Sequence, residues 1–335
     1  MRPITTASFG RGIVVFAALS ALPFVFSAHW IVNLLVFTAM YAALASAWNL
    51  FSGFSGYVSL GNVAFFGVGA YAAGIVFEHW SVGNGYRVFY VLPLVGLGCA
   101  LAALPVGWIA LRTRAMTFAI VTLTMLFIVQ QLAFNLRGLT HGSQGISYPP
   151  PPFDVASFER PFYYAMLGVL ALSVAATRWL LAARLGLQLF GIRDDEEKAR
   201  GVGIPVTGVK LAAFAVSIGL TAMVGGIWGY YIGYVYPEYA VDPLVQIGSV
   251  LMVFLGGRGT LWGPVLGAFL LVPLQQYMAY RLGASELYLV GYSAVFIVVM
   301  LLLPRGILPS LTDLATRLRG REQRRPAAAM EERTT

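Results

Sequence analysis

The feature that most constrains this chain is a succession of apolar runs, each near bilayer-spanning length and none with an acidic residue in its interior. They lie at about 12–28, 30–51, 55–77, 88–111, 115–135, 161–182, 210–235, 243–256, 259–280 and 286–304. A hydrocarbon core about 30 Å thick takes roughly 20 helical residues per crossing, and only segments that satisfy their own backbone hydrogen bonds are stable there. The pattern predicts an all-α, polytopic integral membrane protein with about ten transmembrane helices. Composition agrees: 59% of the 335 residues are apolar and 11% are charged, against about 25% charged in soluble domains. A soluble single-core protein and a disordered chain are both excluded. The run 243–256 has only 14 residues and reads equally as a full crossing, a half-span or a re-entrant piece.

A net charge of +8 would point to nucleic acid in a soluble protein. Here the basic residues sit between apolar runs, so topology explains them and no nucleic-acid partner is expected. With both termini in the cytoplasm, 18 of the 22 basic residues fall on that side and only Arg87, Arg137, Arg160 and Arg281 on the other. The predicted organisation is therefore N-in/C-in. It comprises a cytoplasmic N-terminus at 1–11, a transmembrane domain at 12–304 and a basic, partly disordered cytoplasmic tail at 305–335. The first run follows Arg2 and Arg11 as a secretory signal would. A cut after Ala28 would put bulky Phe26 where a small residue is needed, so a retained first helix is expected. No segment outside the runs reaches the roughly 50 residues of a domain.

What the runs lack excludes several functions. All 14 acidic residues fall outside the run interiors, so there is no buried Asp, Glu or His to relay protons; sodium coupling through backbone carbonyls stays open. A phosphate-binding loop needs Gly-Lys-Ser or Gly-Lys-Thr, yet Lys198 is followed by Ala199 and Lys210 by Leu211. No catalytic residue, cofactor or metal site is expected. The lone Cys99 suits packing, and His29, His79 and His141 are too far apart to suggest ligand spacing. Energy for active transport would enter from outside the chain.

Three stretches carry more information. The third run has five glycines between Ser55 and Gly74. Its small-xxx-small spacings suit tight helix contact, and Gly67, Gly69, Gly74, Gly263 and Gly267 are the glycines expected to pack helices. Alternatively 56–61 is unwound, breaking the helix, and Ser59 and Asn62 face a substrate path. In the fifth run Thr117, Thr124 and Gln131 recur every seven residues and share a face. That face suits either a neutral path or helix-to-helix hydrogen bonds. The segment 193–205 places Asp194 three residues before Glu197, like a capping box, and stops at Gly201, Gly203 and Pro205. The result is a helix of one to two turns, too short to stand alone: a docking element or a solvated loop.

Several stretches, in order, resemble the M-type permease subunits of ATP-binding-cassette importers for branched-chain amino acids. These are Gly56 to Tyr71, Leu111 to Thr124, Leu139 to Ile146, the Arg193 to Lys210 loop, Gly256 to Ala268 and Pro304 to Ile307. The family's loop pattern E-A-A-x-x-x-G maps onto Glu197, Lys198, Ala199 and Gly203, with Lys198 replacing the first alanine. The resemblance implies a bacterial inner-membrane, multi-pass permease that is not an enzyme. It further implies a second permease, two cytoplasmic ATP-binding subunits and an extracytoplasmic substrate-binding protein as partners, in a lipid membrane. Within a coupling loop at 184–209, Arg193, Asp194, Glu196, Glu197, Lys198, Ala199 and Gly203 would seat on an ATPase. Alternatives are a related permease for urea, short amides or sugars, or a self-sufficient secondary transporter or channel.

Overall fold

The computed structural model describes residues 6–26, 28–80 and 85–282, with parts of 290–312. Among these, the long helices are α1 (Thr6–Val25), α2 (His29–Trp48), α3 (Asn62–Trp80), α4 (Arg87–Ala110) and α5 (Ala115–Asn135). A single turn, α6 (Arg137–Thr140), precedes α7 (Glu159–Ala182), and two cytoplasm-assigned helices follow, α8 (Arg184–Asp194) and α9 (Glu196–Gly201). Then come α10 (Val206–Ile232), the turn α11 (Pro237–Ala240), α12 (Pro243–Gly256) and α13 (Gly263–Leu282). The strands described are a two-residue ladder, β1 (Ile146–Ser147) against β2 (Tyr234–Val235), pairing Ile146 with Val235.

The protein is polytopic. Seven helical stretches among the described residues are long and apolar enough to cross a membrane: 29–53, 62–80, 87–110, 115–135, 155–182, 206–232 and 237–256. The ninth run is also a 20-residue helix, α13, but Gln275, Gln276 and Arg281 dilute its apolar character. The apolar part of α1, Gly12–Val25, is shorter than a full crossing. The tenth run and the tail from 305 lie largely outside the described residues.

The central post is α10, packed between α3, α4, α2 and α7. Close approach requires missing side chains: a Cβ at Gly69 would sit on the Ala222 carbonyl, and one at Gly225 on that of Phe66. The other glycines expected at contacts are also crowded. A Cβ at Gly67 would meet Val241 Cγ2 at 2.5 Å, at Gly74 Ile146 Cγ2 at 2.8 Å, and at Gly263 the Gly257 carbonyl at 2.5 Å. At Gly267 it would sit on the Met252 carbonyl. By contrast α4 and α5 expose Leu94, Leu97, Leu101, Ile109, Ile120 and Phe127, a surface that suits lipid or an apolar partner and not water. The α1 helix is held by hydrogen bonds from Tyr163 and Tyr164 to the carbonyls of Leu19 and Ser20.

Inter-element contacts near the helix ends fall into two groups. One contains the β1–β2 ladder, His29 with Glu159 (3.2 Å) and His141 with Glu78 (3.3 Å). The other contains Arg193 with the Gly53 carbonyl (3.2 Å) and Arg258 with that of Ser52 (3.1 Å). Each group joins segments that the charge count assigns to one side of the membrane.

Candidate functional site: the short cytoplasm-assigned helix and the break before α3

Residues 56–61 are not helical, and α3 starts only at Asn62. The preceding chain leaves α2 through a π-helical turn, Asn49–Gly53, a distortion that often marks functional segments. Gly56 then takes φ +83°, which a side chain resists. Segments of this kind are tolerated inside a membrane only when other groups satisfy the backbone, and here side chains do so. The Ser59 N–H donates to Ser52 Oγ (3.1 Å), the Leu60 N–H to Thr122 Oγ1 (3.0 Å) and the Val63 N–H to Gln246 Oε1 (3.0 Å). Trp48 Nε1 donates to the Ser59 carbonyl (2.7 Å), and Asn62 Nδ2 to Ser217 Oγ (3.1 Å). Thr122 lies seven residues into α5 and Ser217 eleven into α10, so at 1.5 Å per residue the break sits roughly 10–16 Å from the N-terminal ends of those helices. Gln130, farther along α5, reaches the Val241 carbonyl at 3.4 Å. Thus α12, 14 residues long, starts beside Gln130, short of the C-terminal end of α5, and spans only about 20 Å.

The candidate path residues do not form one lining. Thr117, Thr124 and Gln131 share the exposed face of α5, with the Thr124 hydroxyl bonded back to the Ile120 carbonyl. Ser59 and Asn62 are buried on the other side of that helix, against α10 and α12. Ser59 Oγ and Asn62 Oδ1 have no hydrogen-bond partner among the described residues.

The short helix is α9, and its boundaries differ from the sequence expectation by one residue. Asp194 ends α8; Asp195 is the N-cap, accepting from the Lys198 N–H at 3.0 Å. The expected Asp194–Glu197 capping box is therefore absent: the third helical position is Lys198, whose ammonium pairs with Asp195 at 3.0 Å. That N–H bond leads the effects holding the Asp195 carboxyl below its usual range. Gly203, at φ +84°, ends the turn, and the Ile204 N–H closes back onto the Ala199 carbonyl at 3.1 Å. Glu197 and Lys198 are exposed and Ala199 is buried, so α9 shows one face outward and rests the other on the protein.

Glu196, the first residue of α9, turns inward. Its carboxylate accepts from Arg200 Nη2 (2.7 Å), from Lys210 Nζ (3.2 Å) and from the Tyr57 hydroxyl. Lys210 is fully buried near the start of α10. Its ammonium also donates to the Leu111 carbonyl (3.3 Å) and lies 3.9 Å from the centroid of the Tyr57 ring. Burial opposes the Glu196 charge, but the Tyr57 hydroxyl, Lys210 and Arg200 outweigh it and hold this carboxyl below the usual range. Beside it opens a cleft of about 470 Å³ lined by Tyr57, Arg112, Arg114, Arg193 and Arg200 among others. Of the residues around Glu196, the sequence pointed to Arg193 and Glu196 itself but not to Tyr57, Arg200 or Lys210. The available signal was a lone lysine at the head of an otherwise apolar run.

Residues 30–303 match the family described as branched-chain amino acid transport system / permease component. Among curated proteins, the chain is 29% identical over 307 residues to the high-affinity branched-chain amino acid transport system permease protein LivM of Salmonella typhimurium. It has the same identity to LivM of Escherichia coli, and both alignments cover 83% of this chain and 70% of the relative. The autoinducer 2 import system permease protein LsrC of Yersinia pseudotuberculosis is 28% identical over 136 residues, 38% of each chain. No solved structure matches.

Proposed function

Because this chain belongs to the family of branched-chain amino acid transport permease components, we propose that it supplies half of the translocation path of an ATP-driven importer for aliphatic amino acids. A permease of this family is a multi-pass membrane protein and not itself an enzyme, so ATP hydrolysis belongs to partner subunits. In this reading a second permease completes the path, two ATP-binding subunits dock on the inner face, and an extracytoplasmic binding protein delivers substrate. The chain crosses about ten times with both ends inside. Residues 12–304 form the transmembrane domain, 184–209 the coupling loop, and 1–11 and 305–335 cytoplasmic ends.

The observation that carries the reading is α9. A six-residue helix has no stability of its own, yet this one is capped, anchored through Glu196 and Ala199, and turned so that Glu197 and Lys198 face outward. Such a helix suits transmission of force from a docked subunit. Arg193, Asp194 and Gly203 set its approach and exit. The exposed face of α5 with Thr117, Thr124 and Gln131 is the proposed contribution to the path, together with Ser59 and Asn62 once the segment before α3 shifts. An uncharged path suits a zwitterion with an aliphatic side chain, and the long alignments to LivM favour that substrate over the cargo of LsrC, which aligns over 38% of the chain.

The test is reconstitution of the chain with a second permease, ATP-binding subunits and an extracytoplasmic binding protein from the same organism. Leucine uptake into proteoliposomes should require ATP and every component. Leucine uptake by the purified chain alone, down or against an ion gradient, would refute the importer reading. Uptake of a sugar or amide in preference to leucine would refute the substrate.

A further inference from the structure

We propose that Glu196, Tyr57 and Lys210 form the joint that passes movement of α9 into the membrane, and that the joint acts on α5 through the unwound residues 56–61. The inference rests on the importer reading, and it adds which residues transmit the stroke and along which route.

The route is continuous. At its inner end the Glu196 carboxylate collects three donors from three different elements: Arg200 on α9, Lys210 on α10 and Tyr57 in the unwound segment. Lys210 has no exposure, and Glu196 is its one acidic partner among the described residues. An ammonium held in that position cannot exchange its counter-charge for water, so α9 is tied to the head of α10 by a bond that resists sliding. The Tyr57 hydroxyl has a different setting. It belongs to six residues held by side chains of Trp48, Ser52, Ser55, Thr122 and Gln246 in place of a helical backbone ladder, and such a segment changes shape at less cost than a helix.

Two further contacts aim the movement. Arg193, at the end of α8, donates to the Gly53 carbonyl at 3.2 Å, and its side chain packs on Gly56, where a Cβ would meet Arg193 Cγ at 3.2 Å. The base of the unwound segment is thereby clamped to α8. Its far end is bonded to α5, with the Leu60 N–H on Thr122 Oγ1 at 3.0 Å, and a Cβ at Gly61 would sit on the Thr122 carbonyl. A shift of α9 against α8 thus pulls Tyr57 while Gly56 is held, and the displacement leaves at Leu60 into α5. Thr122 is on the buried face of α5 and Thr117, Thr124 and Gln131 are on the exposed one, so turning that helix re-aims its polar face. Glu196, Tyr57 and Thr122 are positioning residues; none is placed in contact with substrate.

The experiment uses the assembled importer in proteoliposomes and reads leucine molecules taken up per ATP hydrolysed. Tyr57→Phe deletes the hydroxyl–carboxylate bond and keeps the ring over Lys210. ATPase subunits should still co-purify, while uptake per ATP falls about tenfold, the scale of one hydrogen bond to a charged group. A merely structural role would lower assembly, hydrolysis and uptake together and leave the ratio unchanged, which overturns the proposal. Thr122→Val, which touches neither Glu196 nor Lys210, is read in parallel and must lower the same ratio. If Tyr57→Phe does not assemble, Thr122→Val alone decides, an unchanged ratio refuting the route. ATP-dependent uptake by the wild-type complex, measured first, separates failure of this route from failure of the importer reading.

Discussion

The pairing of Glu196 with Lys210 predicts a specific stability loss and a specific rescue. Glu196→Gln keeps the shape of the side chain but removes the negative charge 3.2 Å from a fully buried ammonium. At an effective dielectric constant near 20, that attraction is about 5 kcal/mol. The loss has a ceiling, because a stranded ammonium can shed its proton, which costs about 4.6 kcal/mol at pH 7 for a lysine with an ordinary pKa. The Leu111 carbonyl and the Tyr57 ring remain and recover part of it, so the expected loss is about 3 kcal/mol, at the low end for breaking a buried pair. With unfolding entropy near 2.1 cal/mol/K per residue, this lowers the melting midpoint by about 4 °C for a chain of this length. Cys99, the sole cysteine and buried on α4, is a built-in reporter. A thiol-reactive fluorophore reads its exposure as the detergent-solubilised protein is heated. Replacing the lysine as well, in Glu196→Gln/Lys210→Met, removes the stranded charge and should return most of the lost 4 °C. An unshifted midpoint in the single variant, or a double variant no better than the single, would refute the argument that the carboxylate compensates a buried charge.

Three other outcomes follow from the geometry. Burial alone would raise the Glu196 carboxyl, but Tyr57, Lys210 and Arg200 hold it low; a depressed carboxyl adds stability above the ordinary glutamate pKa, about 4.3, and loses it as pH falls below that. Between pH 4.5 and 3 the wild-type midpoint should therefore drop more steeply than that of Glu196→Gln. Gly69→Ala, whose Cβ would sit on the Ala222 carbonyl, should force α3 from α10 at a cost of about 1–3 kcal/mol and expose Cys99 at lower temperature. Asp195→Ala removes the N-cap of α9 and should weaken ATPase co-purification, whereas Asp195→Asn, which still accepts from the Lys198 N–H, should retain most of it.

The difference between what was legible and what was not lies in the range of the interactions. Run length marked α2, α4, α5, α7, α10 and α12 within a few residues, because burial of apolar residues in lipid is a local property, whereas α3 starts at Asn62, seven residues after the start of its run. The glycine-rich stretch before Asn62 announced trouble for a helix, and 56–61 is non-helical. The terminators Gly201 and Gly203 bounded α9, though competition between neighbouring aspartates left the cap one residue out. No such signal distinguished which helix face meets protein and which meets lipid, since both are apolar and periodicity carries little contrast. Thr122 and Thr124 illustrate this: both are threonines on α5, yet one anchors the chain before α3 and the other is exposed.

By itself, then, the sequence determined a polytopic membrane protein and a short helix between spans, both consequences of side-chain transfer free energies and local backbone preference. Only the tertiary structure decided that Lys210 is buried, that Tyr57 and Glu196, 139 residues apart, meet over it, and that α12 starts beside Gln130, short of the C-terminal end of α5. Those outcomes depend on which surfaces of several similar apolar helices pack together, and a buried charge finds its partner only after that packing has brought distant segments within 3–4 Å.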